Sequence, residues 1–258
     1  ISGTQHMEAV SSMPDWLAQM LHNLILTGQC TDITLELNDS LMTKVLDSGT
    51  VSTSPDFVLT GTCTTSFQTS GANRSNNIVV GASRLNNLIV MPGQTVSVSD
   101  TILPRTRANG YKEAGVYVNG AHTTGLGGGV CQISSTVYNA VKNAGLTVVQ
   151  RNPHSMPVNY LPKGLDAAIA AGSKDLKFRN DYTTPVVLYT DTSNKHLTVN
   201  VLVWNQELAG RSFKLWAKQT GALSADTYFT TYQNGKEVST QFVGTSRYNP
   251  YREAVNDD

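Results

Sequence analysis

Three consecutive glycines, Gly127 to Gly129, lead into Cys131, and a helical pattern follows at once. A helix N-terminus exposes unsatisfied N–H groups and a partial positive charge, which stabilise a thiolate and lower the thiol pKa. The same N–H groups can hold the oxyanion of a tetrahedral intermediate, and glycines admit backbone and substrate because no Cβ stands in the way. A single cysteine in a helix is more often a small buried hydrophobe than a nucleophile. The glycine run and the helix-start position bring the two readings level. A nucleophilic cysteine needs a base, and His154, in the stretch NPHS, follows the helix and a strand predicted over 146–150. The helix from Cys131 to Ala144 is ~20 Å long, and the chain from Leu146 to His154 reaches at most ~30 Å. A strand running antiparallel to the helix therefore returns His154 to Cys131. Asp166 is the nearest downstream carboxylate that could orient the imidazole, with the Ser155 hydroxyl or a backbone carbonyl as substitutes. His122, just upstream of the glycines, is the second candidate base; His6, His22 and His196 are weaker. Arg74 and Arg105 suit bidentate pairing with a substrate carboxylate, whereas Arg107 reads as a solvated side chain.

Elements must position these groups. Pro14 and Asp15 open an amphipathic helix over 14–27, and Ile33, Leu35 and Leu37 alternate as in a strand. The Ser-, Thr- and Asp-rich stretch 38–56 reads as a connection. Ile78, Ala82, Leu85 and Ile89 fall at helical spacing over 73–90, with Asn and Ser crowding the start as caps. TVSVSD alternates, and two Asn-Gly pairs around VYV suit a β-hairpin. After the glycines, Ile133, Val137 and Val141 form an apolar stripe, and Gly145 is placed to terminate the helix. Strands are predicted at LTVVQ, DLKFRND, PVVLYT, HLTVNVLVW and SFKLWAK, and a hairpin turns at Asn234-Gly235. The expected fold is α+β: antiparallel sheets with two main helices, one of them starting at Cys131.

The bulk numbers set bounds. A formal net charge of zero gives no argument for nucleic acid or an anionic membrane surface. No apolar run approaches the ~18 residues needed to span a bilayer. The opening ISGTQHM reads like a cloning remnant, so residues 1–7 are set apart from fold reasoning, and an exported or membrane-anchored parent stays open. Cys30, Cys63 and Cys131 are an odd number, which leaves at least one free thiol. Cys30 and Cys63 could pair in an oxidising compartment; their loop-like flanks carry no zinc-ligand spacing.

The stretches TSFQTSGANRSNNI, VMPGQTVSVSD, PRTRANGYKEAGVYVNG, GLGGGVCQISSTVYNAVKNAGLTVVQRNPHSMPVNYLPKGLDAAI and DLKFRNDYTTPVVLYT resemble, in that order, the VanW domain, a bacterial cell-envelope family. The resemblance covers roughly residues 57–192, and its most specific part is Gly-Gly-Gly-x-Cys-Gln followed by Pro-His-Ser. It implies an exported or membrane-anchored protein of Gram-positive bacteria. Some members are regarded as L,D-transpeptidases, which join peptidoglycan stem peptides through a cysteine thioester and form 3→3 cross-links. The match makes Cys131 the nucleophile and His154 the base. The order Cys then His differs from the YkuD-type L,D-transpeptidases, so their fold is not implied.

The resulting expectation divides the chain into a remnant (1–7), an N-terminal helix/strand segment (8–56), a catalytic domain (57–200) and a C-terminal β-extension with a hairpin (201–258). Cys131, His154 and Asp166 form the catalytic set. Gly128, Gly129, Gln132, Ser155, Arg74 and Arg105 form the substrate-binding set. No cofactor and no metal are expected. The partners are donor and acceptor stem peptides acting on a monomer at the cell envelope. The competing readings are a non-catalytic wall-binding module, and a cysteine peptidase or L,D-carboxypeptidase acting on stem peptides.

Overall fold

Phe57–Ser66 forms strand β1, although the residues around Cys63 read as loop. Threonine is β-branched and suits a pleated surface. On the outward face Thr62 Oγ1 donates to Asn200 Oδ1 and Thr64 pairs with Thr198, both at 2.8 Å. Gly61, Cys63 and Thr65 turn inward. The computed structural model describes residues 57–118, 121–170 and 172–251. The segments expected at 1–7, 14–27, 33–37 and 38–56, with Cys30, His6 and His22, lie outside the described residues.

After β1 come helix α1 (Ala72–Ser83), strands β2 (Leu88–Val90) and β3 (Thr95–Ser97), and the short helix α2 (Val98–Thr101). The helix expected through Ile89 stops at Ser83. Asn87 takes the left-handed conformation (φ 58), and Leu88–Val90 pair with Val186–Leu188, so sheet partners replace helical ones for those backbone groups. In TVSVSD the alternation is cut at Ser97, whose side chain accepts from Asp100 N and caps α2. The hairpin β4 (Glu113–Val118) and β5 (Ala121–Leu126) precedes helix α3 (Val130–Asn143). Gly145 (φ 81) follows the end of α3 and its N–H bonds back to Lys142 O, as the helix-stop signal required.

The remaining elements are β6 (Thr147–Gln150), β7 (Lys177–Arg179), β8 (Val186–Asp191), β9 (His196–Trp204), helix α4 (Asn205–Leu208), β10 (Arg211–Gly221), β11 (Ser224–Gln233) and β12 (Lys236–Arg247). The strands order as β1-β9-β8-β2, β3-β7-β6, β10-β11-β12 and β4-β5, with every named pairing antiparallel. The fold is α+β. Helix α3 packs against β1 and β9 on one side, and against β10, β6 and α1 elsewhere. Its stripe of Ile133, Val137 and Val141 joins Leu197, Val199, Val201 and Val203 of β9 in the core. This burial fixes the orientation of α3, and with it the place of Cys131.

Candidate active site

Cys131 is the second residue of α3, one place after Val130. Gly129 caps the helix with φ 109, a conformation that side chains with a Cβ avoid. Gly128 is glycine for a different reason. A Cβ there would lie 2.6 Å from Gly115 O and 2.7 Å from Ala114 O, so β4 passes directly over it. Gly128 is therefore buried under β4 and does not face the cleft, whereas Gly129 lines it. The Cys131 N–H has no acceptor among the described residues, as expected for a group in the first turn of a helix.

The thiol donates to Ile169 O at 3.3 Å, and its other neighbour is the imidazole of His154. Burial alone would raise the Cys131 pKa. The hydrogen bond and positive charge of His154, the Ile169 backbone and the charge of Arg105 together outweigh burial and lower it. His154 moves the opposite way. Burial disfavours its charge, but hydrogen bonds to Asp166 and Cys131 hold its pKa at about 9. The two shifts have opposite signs, and both favour the thiolate–imidazolium form of the pair over the neutral one.

Asp166 fixes the imidazole. Its Oδ2 accepts from the His154 backbone N–H and faces Nδ1 of the ring, each at 2.7 Å. Its Oδ1 accepts from Arg151 at 3.3 Å and from the Tyr248 hydroxyl at 2.5 Å. The carboxylate is fully buried, which would raise its pKa; the hydrogen bonds from His154 and Tyr248 and the charge of Arg151 hold it at about 2. It remains an anion, and with Nδ1 committed to Asp166, Nε2 is the ring nitrogen left for the sulfur. Asp166 is the nearest downstream carboxylate that chain order offered, and it follows the turn at Gly164 (φ 92).

Cys131 and His154 open on a cleft of about 1820 Å³, bounded by the β4–β5 hairpin, the start of α1 and the loops around Met156, Ala170 and Pro250. The two arginines behave differently in it. Arg74 donates to Ser70 Oγ at 2.5 Å and to Gln132 Oε1 at 2.8 Å, which ties α1 to α3. The Gln132 amide donates to Thr65 Oγ1 and Ser66 O, both at 3.0 Å, so this buried side chain has all its partners within the protein. Arg105 also lines the cleft, and its guanidinium has no hydrogen-bond or ion-pair partner among the described residues. Ser155 is exposed at the cleft, and its carbonyl accepts from Asn249 N at 2.7 Å. Arg107 is exposed and pairs with Glu113. His122 lies on β5 opposite Tyr117, and His196 begins β9 with Nδ1 against Asn194 O.

Sequence reasoning missed Tyr160, Arg151 and Tyr248. Tyr160 lines the cleft, stands 3.4 Å from Ser135 Oγ and interacts electrostatically with Cys131 and Arg74. Burial, first of its causes, raises its pKa, so it is a neutral hydroxyl. No periodicity marks it. Cys63 is packed against the core, and burial pushes its thiol up to about 12. Among the described residues no group of His, Cys, Asp and Glu is placed to hold a metal ion, and no helix is long and apolar enough to cross a membrane.

Fold and site together define an α+β protein whose cleft gathers a helix-start cysteine, a histidine and a buried aspartate. The chain belongs to the VanW family: residues 73–202 match the family described as "VanW like protein". It is 42% identical over 128 residues to "Uncharacterized protein YoaR" of Bacillus subtilis (strain 168), covering 50% of this chain and 42% of that protein. It is 35% identical over 114 residues to "Vancomycin B-type resistance protein VanW" of Enterococcus faecalis (strain ATCC 700802 / V583), covering 42% of each. The chain thus spans less than half the length of these two relatives. No solved structure matches it.

Proposed function

We propose that the protein is a cysteine-dependent acyltransferase of the cell envelope, an L,D-transpeptidase that forms 3→3 cross-links between peptidoglycan stem peptides. The observation that carries the reading is the buried Asp166–His154 pair against a partly buried thiol at a helix start, inside a cleft large enough for peptide. The Cys131 thiolate adds to the carbonyl carbon of a diaminopimelate residue followed by terminal D-Ala. The carbonyl oxygen becomes an oxyanion held by the free N–H at the start of α3. The C–N bond breaks as the His154 imidazolium gives its proton to the departing D-Ala amine, leaving a thioester on Cys131. The side-chain amine of a second stem peptide attacks the thioester, and neutral His154 takes its proton. Collapse forms the new amide and restores the thiolate–imidazolium pair. Water as acceptor would make the same site an L,D-carboxypeptidase.

Arg105 is the donor-binding residue in this scheme, because its guanidinium, without a partner among the described residues and close enough to act on Cys131, suits the carboxylate of the leaving D-Ala. A cell-envelope setting agrees with the resistance named for the Enterococcus relative.

Purified disaccharide-tetrapeptide is the direct test. The expected product is a cross-linked dimer lighter than two donors by one D-Ala and still bearing one, with an acyl-enzyme mass on Cys131. Cys131→Ala must abolish both; cross-linking that persists in this variant would overturn Cys131 as the nucleophile, and a wild-type protein that binds the muropeptide without cross-linking it would leave only a wall-binding role. A donor ending in carboxamide should react about tenfold or more slowly than the free acid, and Arg105→Gln should erase that preference.

A further inference from the structure

The family match ends at residue 202, yet the β10–β12 sheet and the segment after it reach into the site from beyond that limit. Tyr248 is 6% exposed, and its hydroxyl donates to Asp166 Oδ1 at 2.5 Å, accepts from Gly164 N at 2.7 Å and also meets the Ser246 side chain. Ser246 of β12 accepts from Arg151 at 3.0 Å, and Arg151 also donates to Asp166 Oδ1 at 3.3 Å and to the Asp166 carbonyl at 2.7 Å. Thr227 of β11 holds the Gly164 carbonyl at 2.9 Å. Asn249 N binds Ser155 O, next to His154. Four residues of the C-terminal region, Thr227, Ser246, Tyr248 and Asn249, thus converge on the loop that carries His154 and Asp166.

We infer that the C-terminal sheet is an integral part of the catalytic unit, with Tyr248 as a positioning residue that acts on the Cys131–His154 pair through Asp166. The geometry assigns the two carboxylate oxygens separate duties. Oδ2 serves His154, and Oδ1 is pinned by Arg151 and Tyr248. Without the Tyr248 hydroxyl, Oδ1 keeps Arg151 alone, and the carboxylate can turn toward that guanidinium. His154 Nδ1 then loses its aligned acceptor, the imidazolium is less favoured, and the Cys131 thiolate loses its counterion. The ionisable groups facing this unit are Arg151, Tyr138, Tyr160 and Tyr248 around Asp166, and Arg105, Tyr160 and Arg74 around Cys131.

The inference is tested on the full chain by the pH dependence of iodoacetamide alkylation, read at Cys131 by peptide mass. This readout needs no substrate, so it stands or falls separately from the transpeptidase reading. Tyr248→Phe keeps the ring and removes the hydroxyl. It should move the thiolate limb upward by about half to one pH unit, so that alkylation below the wild-type midpoint slows about 3- to 10-fold. Thr227→Val breaks a neighbouring sheet-to-loop hydrogen bond without touching Asp166, and should leave the limb in place. An unmoved or lowered limb in Tyr248→Phe, or an equal shift in both variants, overturns the positioning role. If Tyr248→Phe loses its cooperative melt, Ser246→Ala loosens the same carboxylate through both Arg151 and Tyr248. A smaller upward shift there supports the inference and no shift overturns it.

Discussion

Asp166 is the residue on which the site turns. A fully buried carboxylate is costly unless its charge is met by donors, and here His154, Arg151 and Tyr248 meet it. Asp166→Asn keeps the shape but removes the charge that holds the His154 imidazolium. The expected result is acyl transfer lowered about 10²- to 10⁴-fold, read in single-turnover acylation of Cys131. The pH dependence of stability follows from the same shifts. The Asp166 pKa is depressed from 3.8 to about 2, so its contribution is present above pH 3.8 and is lost as pH falls toward 2. The His154 pKa is raised from 6.5 to about 9, so its contribution is full below 6.5 and is lost as pH rises through 9. Thermal melts should show both flanks in the wild type, and Asp166→Asn should flatten them.

At the scale of elements, the start of α3 and the crossing of its far end over β1 set the position of the thiol. Gly61 of β1 lies where a Cβ would stand 2.1 Å from Ala140 O and 2.5 Å from Ala144 N. Backbone on both sides cannot give way, so Gly61→Ala must push α3 off the sheet. A loss of about 1–3 kcal/mol is expected in denaturant melts, with slower Cys131 alkylation as the helix start shifts. The glycine run belongs to the same logic. Sequence reading assigned those glycines to substrate access, whereas Gly128 makes room for the β4 backbone and Gly129 supplies a left-handed cap.

Across the whole molecule, α3 joins the β1-β9-β8-β2 sheet to the β10–β12 sheet. Asn143, at its end, donates to Thr62 O at 3.2 Å and accepts from Leu215 N at 2.8 Å, bridging the two sheets. Lys142 lies 3.6 Å from the centre of the Phe229 ring, which is stacked on Phe213. Asn143→Ala leaves the Leu215 N–H without its acceptor and should cost about 1–3 kcal/mol. Hydrogen exchange should show lost protection in β10 first, with β8 and β9 keeping theirs.

Much of this molecule is encoded locally, and that part was legible in the sequence. Helix α3, its stop at Gly145, strands β8 and β9 and the Asn234-Gly235 hairpin follow from side-chain period and turn chemistry, which act over a few residues. The placing of Cys131 at a helix start, and of His154 within reach of it, follows from the same patterns and chain length. Where propensity was ambiguous the reading failed: the Thr-rich β1 looked like loop, and Leu88–Val90 looked like helix until β8 paired with it. The sequence by itself thus determined a helix-borne thiol and a histidine able to meet it. Tertiary structure alone decided that Arg74 and Gln132 hold helices together while Arg105, in the cleft, has no partner among the described residues. It also decided that a tyrosine 82 residues beyond Asp166 shares its carboxylate. Such partnerships form only when separate elements pack, and no local pattern along the chain records them.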